Sequence, residues 1–125
     1  MTVPSDRRYS ESHEWFLLED KTVTIGITQH AADELTDITF VEMHPSGSSV
    51  DKGSSVGEVE SVKTTSEVYS AVSGEVLQVN DRVAEDPSLV NSDPYGEGWL
   101  VKLQIEDATP LEGLMDSETY ESQHA

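Results

Sequence analysis

The sequence predicts a mainly β fold carrying a few short peripheral helices, and three observations carry that prediction. Apolar and polar residues alternate with period two in Val23-Thr24-Ile25-Gly26-Ile27 and in Asp37-Ile38-Thr39-Phe40-Val41-Glu42-Met43. Clusters of Gly, Pro, Ser, Asn and Asp break the chain into short runs, as at Pro45-Ser46-Gly47-Ser48 and Asn91-Ser92-Asp93-Pro94-Tyr95-Gly96. Helix-like patterning is confined to segments of one or two turns.

In chain order, the first ten residues read as loosely ordered. His13 to Leu18 reads as a strand, Glu19-Asp20-Lys21-Thr22 as a turn, and Val23 to Ile27 as the returning strand of a hairpin. Thr28 is placed to cap a short helix over Gln29 to Leu35, with Ala31, Ala32 and Leu35 on one side. Asp37 to Met43, Ser55 to Ser61, Ser66 to Val72, Glu75 to Asn80 and Trp99 to Ile105 are further strands. One helical turn is expected at Asp86 to Val90, and short helices at Pro110 to Met115 and Ser117 to Ser122, started by Thr109-Pro110 and Asp116. A faint internal echo links Val41-Glu42-Met43 and Val50-Asp51-Lys52-Gly53 to Val76-Leu77-Gln78-Val79 and Val83-Ala84-Glu85-Asp86. It suits a barrel-like sandwich with a quasi-twofold axis.

At 125 residues the chain is read as one domain. Its net charge of −18 repels phosphate backbones and argues against nucleic-acid binding. The same charge favours partners with basic docking surfaces. Absence of cysteine removes disulfides, thiolate catalysis and cysteine–metal sites. No apolar run follows Arg7-Arg8, so no signal peptide or membrane span is readable and a cytoplasmic setting is expected. His13, His30, His44 and His124 are scattered, with no two at metal-ligand spacing on one element, so no metal site is predicted. A phosphate loop and a nucleophile elbow are also absent from the sequence, and no catalytic residue is assigned.

The chemistry-bearing feature is Glu60-Ser61-Val62-Lys63-Thr64. It puts one lysine, in a chain with only 7 lysines and arginines, at the tip between two strands. A lysine there is reachable from several directions, which suits a side chain that one enzyme modifies and others read.

Around that tip lies an ordered set of motifs: His13-Glu14-Trp15, Gly26-Ile27-Thr28, Phe40-Val41-Glu42, Val59-Glu60-Ser61-Val62-Lys63, Tyr69-Ser70, Val72-Ser73-Gly74-Glu75-Val76, Val79-Asn80, and Leu89 to Trp99. From Tyr9 to about Tyr120 the chain resembles the H proteins of the glycine cleavage system. That resemblance implies a barrel-sandwich hybrid of the lipoyl- and biotinyl-carrier kind. It implies a single lipoyl-carrier domain over residues 1–125, with about 1–8 as an N-terminal extension and about 110–125 as short helices and tail. It further implies lipoic acid attached covalently to Lys63, with Glu60, Ser61 and Val62 read by the lipoate-attaching enzymes.

In the family's cycle a non-catalytic carrier meets three enzymes. Glycine decarboxylase loads an aminomethyl group onto the arm, aminomethyltransferase unloads it, and dihydrolipoyl dehydrogenase reoxidises the dithiol. The resemblance places Glu14, with Ser12 and Glu67, beside the cargo amine in a cleft that shelters the loaded arm. A monomer is expected. Departures from the family pattern are Thr36 where glycine is usual, Glu67 for aspartate, Ala71 for proline, and Thr64-Thr65 for small alanines. A biotin carrier is disfavoured, because Val62 and Thr64 stand where that hairpin flanks its lysine with methionines. A lipoyl relay or donor, or an H-like paralogue serving other lipoate-dependent complexes, is the alternative that shares the cofactor.

Overall fold

In a computed structural model that describes residues 3–124, two antiparallel sheets face each other across the core. The larger has the order β1 (Arg8–Tyr9), β2 (Glu14–Glu19), β3 (Thr22–Ile27), β9 (Val101–Gln104), β8 (Gly74–Val79) and β5 (Ser49–Val50). The smaller contains β4 (Ile38–Met43), β6 (Ser55–Ser61) and β7 (Thr65–Tyr69) in the order β4-β6-β7. The inward residues come from the period-two positions: Val23, Ile25, Val76, Val101 and Leu103 on one sheet, Val41, Val59 and Val68 on the other. This is the β fold with short helices that the sequence predicts.

Helices α1 (Gln29–Leu35), α2 (Asp81–Glu85), α3 (Ser88–Ser92) and α4 (Ser117–His124) and a 3₁₀ turn at Thr109–Gly113 lie around the sheets. Thr28 caps α1 by accepting from the Ala31 amide at 3.3 Å. Asp116 accepts from the Thr119 amide at 2.9 Å at the start of α4, and the same bond holds its carboxyl below the usual aspartate range.

Three boundaries depart from the sequence reading. The strand after the Lys63 tip stops at Tyr69 rather than Val72. Ser70 is buried there, its hydroxyl donates to the Val72 carbonyl at 2.6 Å and accepts from the Val72 amide at 3.1 Å, and the chain turns towards the other sheet. Helix α2 was not foreseen, although Asn80 caps it by accepting from the Arg82 amide at 3.1 Å. From Val3 onward the N-terminal stretch is not loose, Met1 and Thr2 lying outside the described residues: Val3 is 5% exposed and Tyr9 fully buried, in a second cluster with Trp15 and Tyr120. Arg7 stacks over Trp15 at 4.5 Å from the ring centre, which ties residues read as an extension to the body of the fold.

Two glycines are set by close approach. Gly26 stands opposite Trp15 in the β2–β3 register, where a Cβ would lie 2.5 Å from the indole. Gly57, at φ +157°, lies where a Cβ would meet the Glu42 carbonyl at 2.4 Å. The late segment holds α1 in place. Asn91 donates to the Thr36 carbonyl at 2.6 Å and accepts from the Ile38 amide at 3.0 Å. The Tyr95 hydroxyl accepts from the Gln29 amide at 3.0 Å.

Candidate functional site

Strand β2 alternates, so Glu14 points to the same side as Phe16, a core residue. At the strand's start that side opens into a cleft instead of the closed core. Glu14 is therefore 2% exposed yet lines a cavity of about 440 Å³. Its Oε1 accepts from the hydroxyls of Ser10 and Ser12, each at 2.5 Å. Its Oε2 accepts from the Tyr69 amide at 3.1 Å. All three donors are neutral, and among the described residues no ion pair reaches it.

The cleft runs from Glu14 to the β6–β7 hairpin and includes Lys63 itself. Ile27, Ala31, Leu35, Val59 and Val68 give it apolar walls, and helix α1 forms one side. Its dimensions and lining fit a long apolar arm ending in a polar group. At the tip, the Ser61 amide donates to the Thr64 carbonyl at 2.8 Å, closing a tight turn. The Ser61 hydroxyl accepts from the amides of Lys63 and Thr64, each at 3.1 Å, and donates to the Thr64 carbonyl at 3.2 Å. The motif serine thus shapes the turn that presents the lysine. The Val62 amide ties the tip to the Asp37 carbonyl at 3.1 Å, and its side chain is 69% exposed. Glu60 accepts from the Thr65 hydroxyl at 3.3 Å. The Lys63 amine donates to the Glu34 carbonyl at 3.2 Å, at the end of α1.

All the residues singled out as site residues from the sequence meet at this one end of the molecule. Lys63, Glu14, Ser12 and Glu67 line the cleft, and Glu60, Ser61 and Val62 form the tip beside it. Glu67 is exposed and accepts from the Tyr69 hydroxyl at 2.9 Å, a bond that pushes the phenol's pKa up. Two contributors were missed. One is Ser10, lost in a stretch read as loose; its signal was the spacing Ser10, Ser12, Glu14. The other is the Tyr69 amide, which no side-chain motif could reveal.

His13 and His30, far apart in sequence, come together with ring centres 4.6 Å apart. His13 has φ +71°, and its Nδ1 is 2.7 Å from the Tyr120 hydroxyl. That hydroxyl is also 2.7 Å from the Thr28 hydroxyl, and burial pushes its pKa up to about 12. Among the described residues no group of three or more His, Asp or Glu side chains could hold a metal ion.

Comparison with known proteins bears directly on this arrangement. The family model for the glycine cleavage H-protein matches residues 7–125. A glycine cleavage system H protein of Methylacidiphilum infernorum is 46% identical over 121 residues, covering 97% of this chain and 94% of that protein. The mitochondrial H protein 2 of Arabidopsis thaliana is 48% identical over 118 residues, 94% of this chain and 76% of that protein. The crystal structure of a glycine cleavage system H protein from Mycobacterium marinum superposes with a TM-score of 0.90 at 36% identity, covering 98% of each chain. The chain belongs to the glycine cleavage H-protein family, the lipoyl carriers of the glycine cleavage system, which carry their cofactor on a lysine and are not themselves catalysts.

Proposed function

We propose that Lys63 is the lysine that carries lipoic acid and that the adjoining cleft parks the arm when it is loaded. The observation that carries this reading is Glu14. A carboxylate nine-tenths or more buried, bonded only to neutral donors, opens into a cleft whose far end is the exposed lysine. A buried charge without a counter-charge is costly. A cationic guest would remove that cost, and an empty arm would not. The cleft is thereby matched to a loaded arm that ends in an amine.

When bound, the lipoyl group supplies the disulfide chemistry that takes up and hands on the aminomethyl group. The chain's own residues do the rest. Ser61 holds the turn that presents Lys63. Ile27, Leu35, Val59 and Val68 line the path and exclude water from the arm. Glu14 accepts the cargo ammonium, with Ser12 and Glu67 beside it. Acylation removes the charge on Lys63, so it weakens the bond to the Glu34 carbonyl and frees the side chain to turn along the cleft.

Glu60, Ser61 and Val62 form the surface that lipoate-attaching enzymes read. The carrier's individual partners in this proposal are glycine decarboxylase, aminomethyltransferase and dihydrolipoyl dehydrogenase, and it works as a monomer. Its bacterial relatives support the cytoplasm as its setting. The attachment is tested by intact mass after co-expression with a lipoate ligase. The wild-type chain gains one lipoyl group and Lys63→Ala gains none. A lipoylated Lys63→Ala protein overturns the assignment.

A further inference from the structure

The Glu14 carboxylate is held by one side chain more than the sequence pointed to. Ser10 Oγ donates to Oε1 at 2.5 Å and accepts from the Glu14 backbone amide at 3.0 Å. Its backbone is fixed in the same turn: the Ser10 amide donates to the Glu14 carbonyl at 3.0 Å, and the Ser10 carbonyl accepts from the His13 amide at 3.1 Å. Residues 10–14 therefore close on themselves, with the left-handed His13 at the corner. A carboxylate has about four lone-pair positions. Ser10 and Ser12 occupy those of Oε1, and the Tyr69 amide takes one of Oε2. One acceptor position remains, on Oε2, in a side chain that lines the cleft. Ser10 itself does not line the cleft.

We infer that Ser10 is a positioning residue, which closes Oε1 and turns the single open acceptor of Glu14 to the cargo amine. The inference rests on the proposed reading of the cleft. A terminal carboxyl torsion is broad and roughly two-fold by nature, so the orientation of Glu14 must come from its partners. Without the Ser10 hydroxyl, Oε1 regains an acceptor position and the carboxylate can swing away from the Tyr69 amide. The ammonium then meets two competing sites in place of one, and the arm is held less well.

The test uses Ser10→Ala and Ser10→Thr in the full chain, with two readouts. The first needs no cofactor. In the nuclear magnetic resonance spectrum of the unlipoylated protein, the Tyr69 amide reports on Glu14 Oε2 from another strand, and the hydrogen bonds connect it to Ser10 only through Glu14. Ser10→Ala is expected to shift that resonance and speed its exchange, and Ser10→Thr to restore both. The second readout is the lifetime of the loaded, isolated carrier, followed by release of ammonia. Ser10→Ala is expected to shorten it about fivefold, the equivalent of one hydrogen bond, with recovery in Ser10→Thr.

An unmoved Tyr69 amide in a folded Ser10→Ala protein overturns the role of Ser10. A moved amide with an unchanged lifetime overturns Ser10's part in cargo retention, and the cleft reading falls only if Glu14→Ala leaves the lifetime unchanged as well. Ser10→Cys keeps the side-chain shape with a slightly larger atom and weakens the donor, and it gives the same two readouts should the alanine variant fail to fold.

Discussion

Glu14 shows how its surroundings set a single side chain apart. Strand alternation makes it inward-facing, and the opening of the core at the start of β2 leaves it in a cleft. Three neutral donors satisfy it in part, and none cancels its charge. Glu14→Ala is therefore expected to leave lipoylation of Lys63 unchanged, because it lies at the cleft's other end. It is expected to shorten the lifetime of the loaded arm at least tenfold, as the loss of a partly buried charge pair would. Ammonia release from the isolated loaded carrier measures this, and equal lifetimes would sink the parking role. At this scale Lys63 and Glu14 were legible as candidates because they lie within a motif set at family spacing, and Ser12 because it stands beside the first of those motifs. Ser10 was not, because its significance depends on the turn at residues 10–14, which a left-handed His13 closes.

At the scale of elements, helix α1 forms a wall of the cleft, and its end is unusual. Thr36 follows it at φ +62° and ψ −138°, a conformation natural to glycine and strained for a β-branched residue. Its surroundings over-determine it: the Thr36 carbonyl accepts from Asn91 at 2.6 Å, and its hydroxyl donates to the Leu35 carbonyl at 2.5 Å. The departure from the family's glycine, visible in the sequence, is thus a site of stored strain. Thr36→Gly is expected to stabilise the protein by about 1 kcal/mol, since relief of strain exceeds the added entropy of the unfolded chain. Chemical denaturation checks the sign; a destabilised variant would show that the hydroxyl bond outweighs the backbone cost. Strands and α1 were readable from periodicity and from the Thr28 cap. Helix α2 was not, since five residues give too short a window for a helical period to appear.

On the scale of the whole molecule, the net charge of −18 is a long-range property that no single site explains. The outward row Glu42, Glu58 and Glu67 runs in register across β4, β6 and β7, beside the Lys63 hairpin. Like charges placed directly opposite one another weaken a sheet. That cost suits a face whose partners approach with basic surfaces. Turnover with each partner enzyme is expected to fall as ionic strength rises from 0.01 to about 0.15 M, where the screening length shrinks from about 30 to 8 Å. The effect belongs to the second-order rate and not to the rate at saturation, and a flat profile would remove the steering role.

The sequence by itself determined the two-sheet class, the hairpin that presents Lys63 and the membership of the family, because period-two burial, turn residues and motif spacing are local properties of the chain. Only the tertiary structure decided which hydroxyls and which backbone amide surround Glu14, that Val3 and Tyr9 belong to an apolar cluster, and that His13, Tyr120 and Thr28 form one network. Those partners lie far apart in the chain, by 107 residues in the case of His13 and Tyr120. Their meeting is fixed by how the sheets and helices pack, which no local pattern encodes.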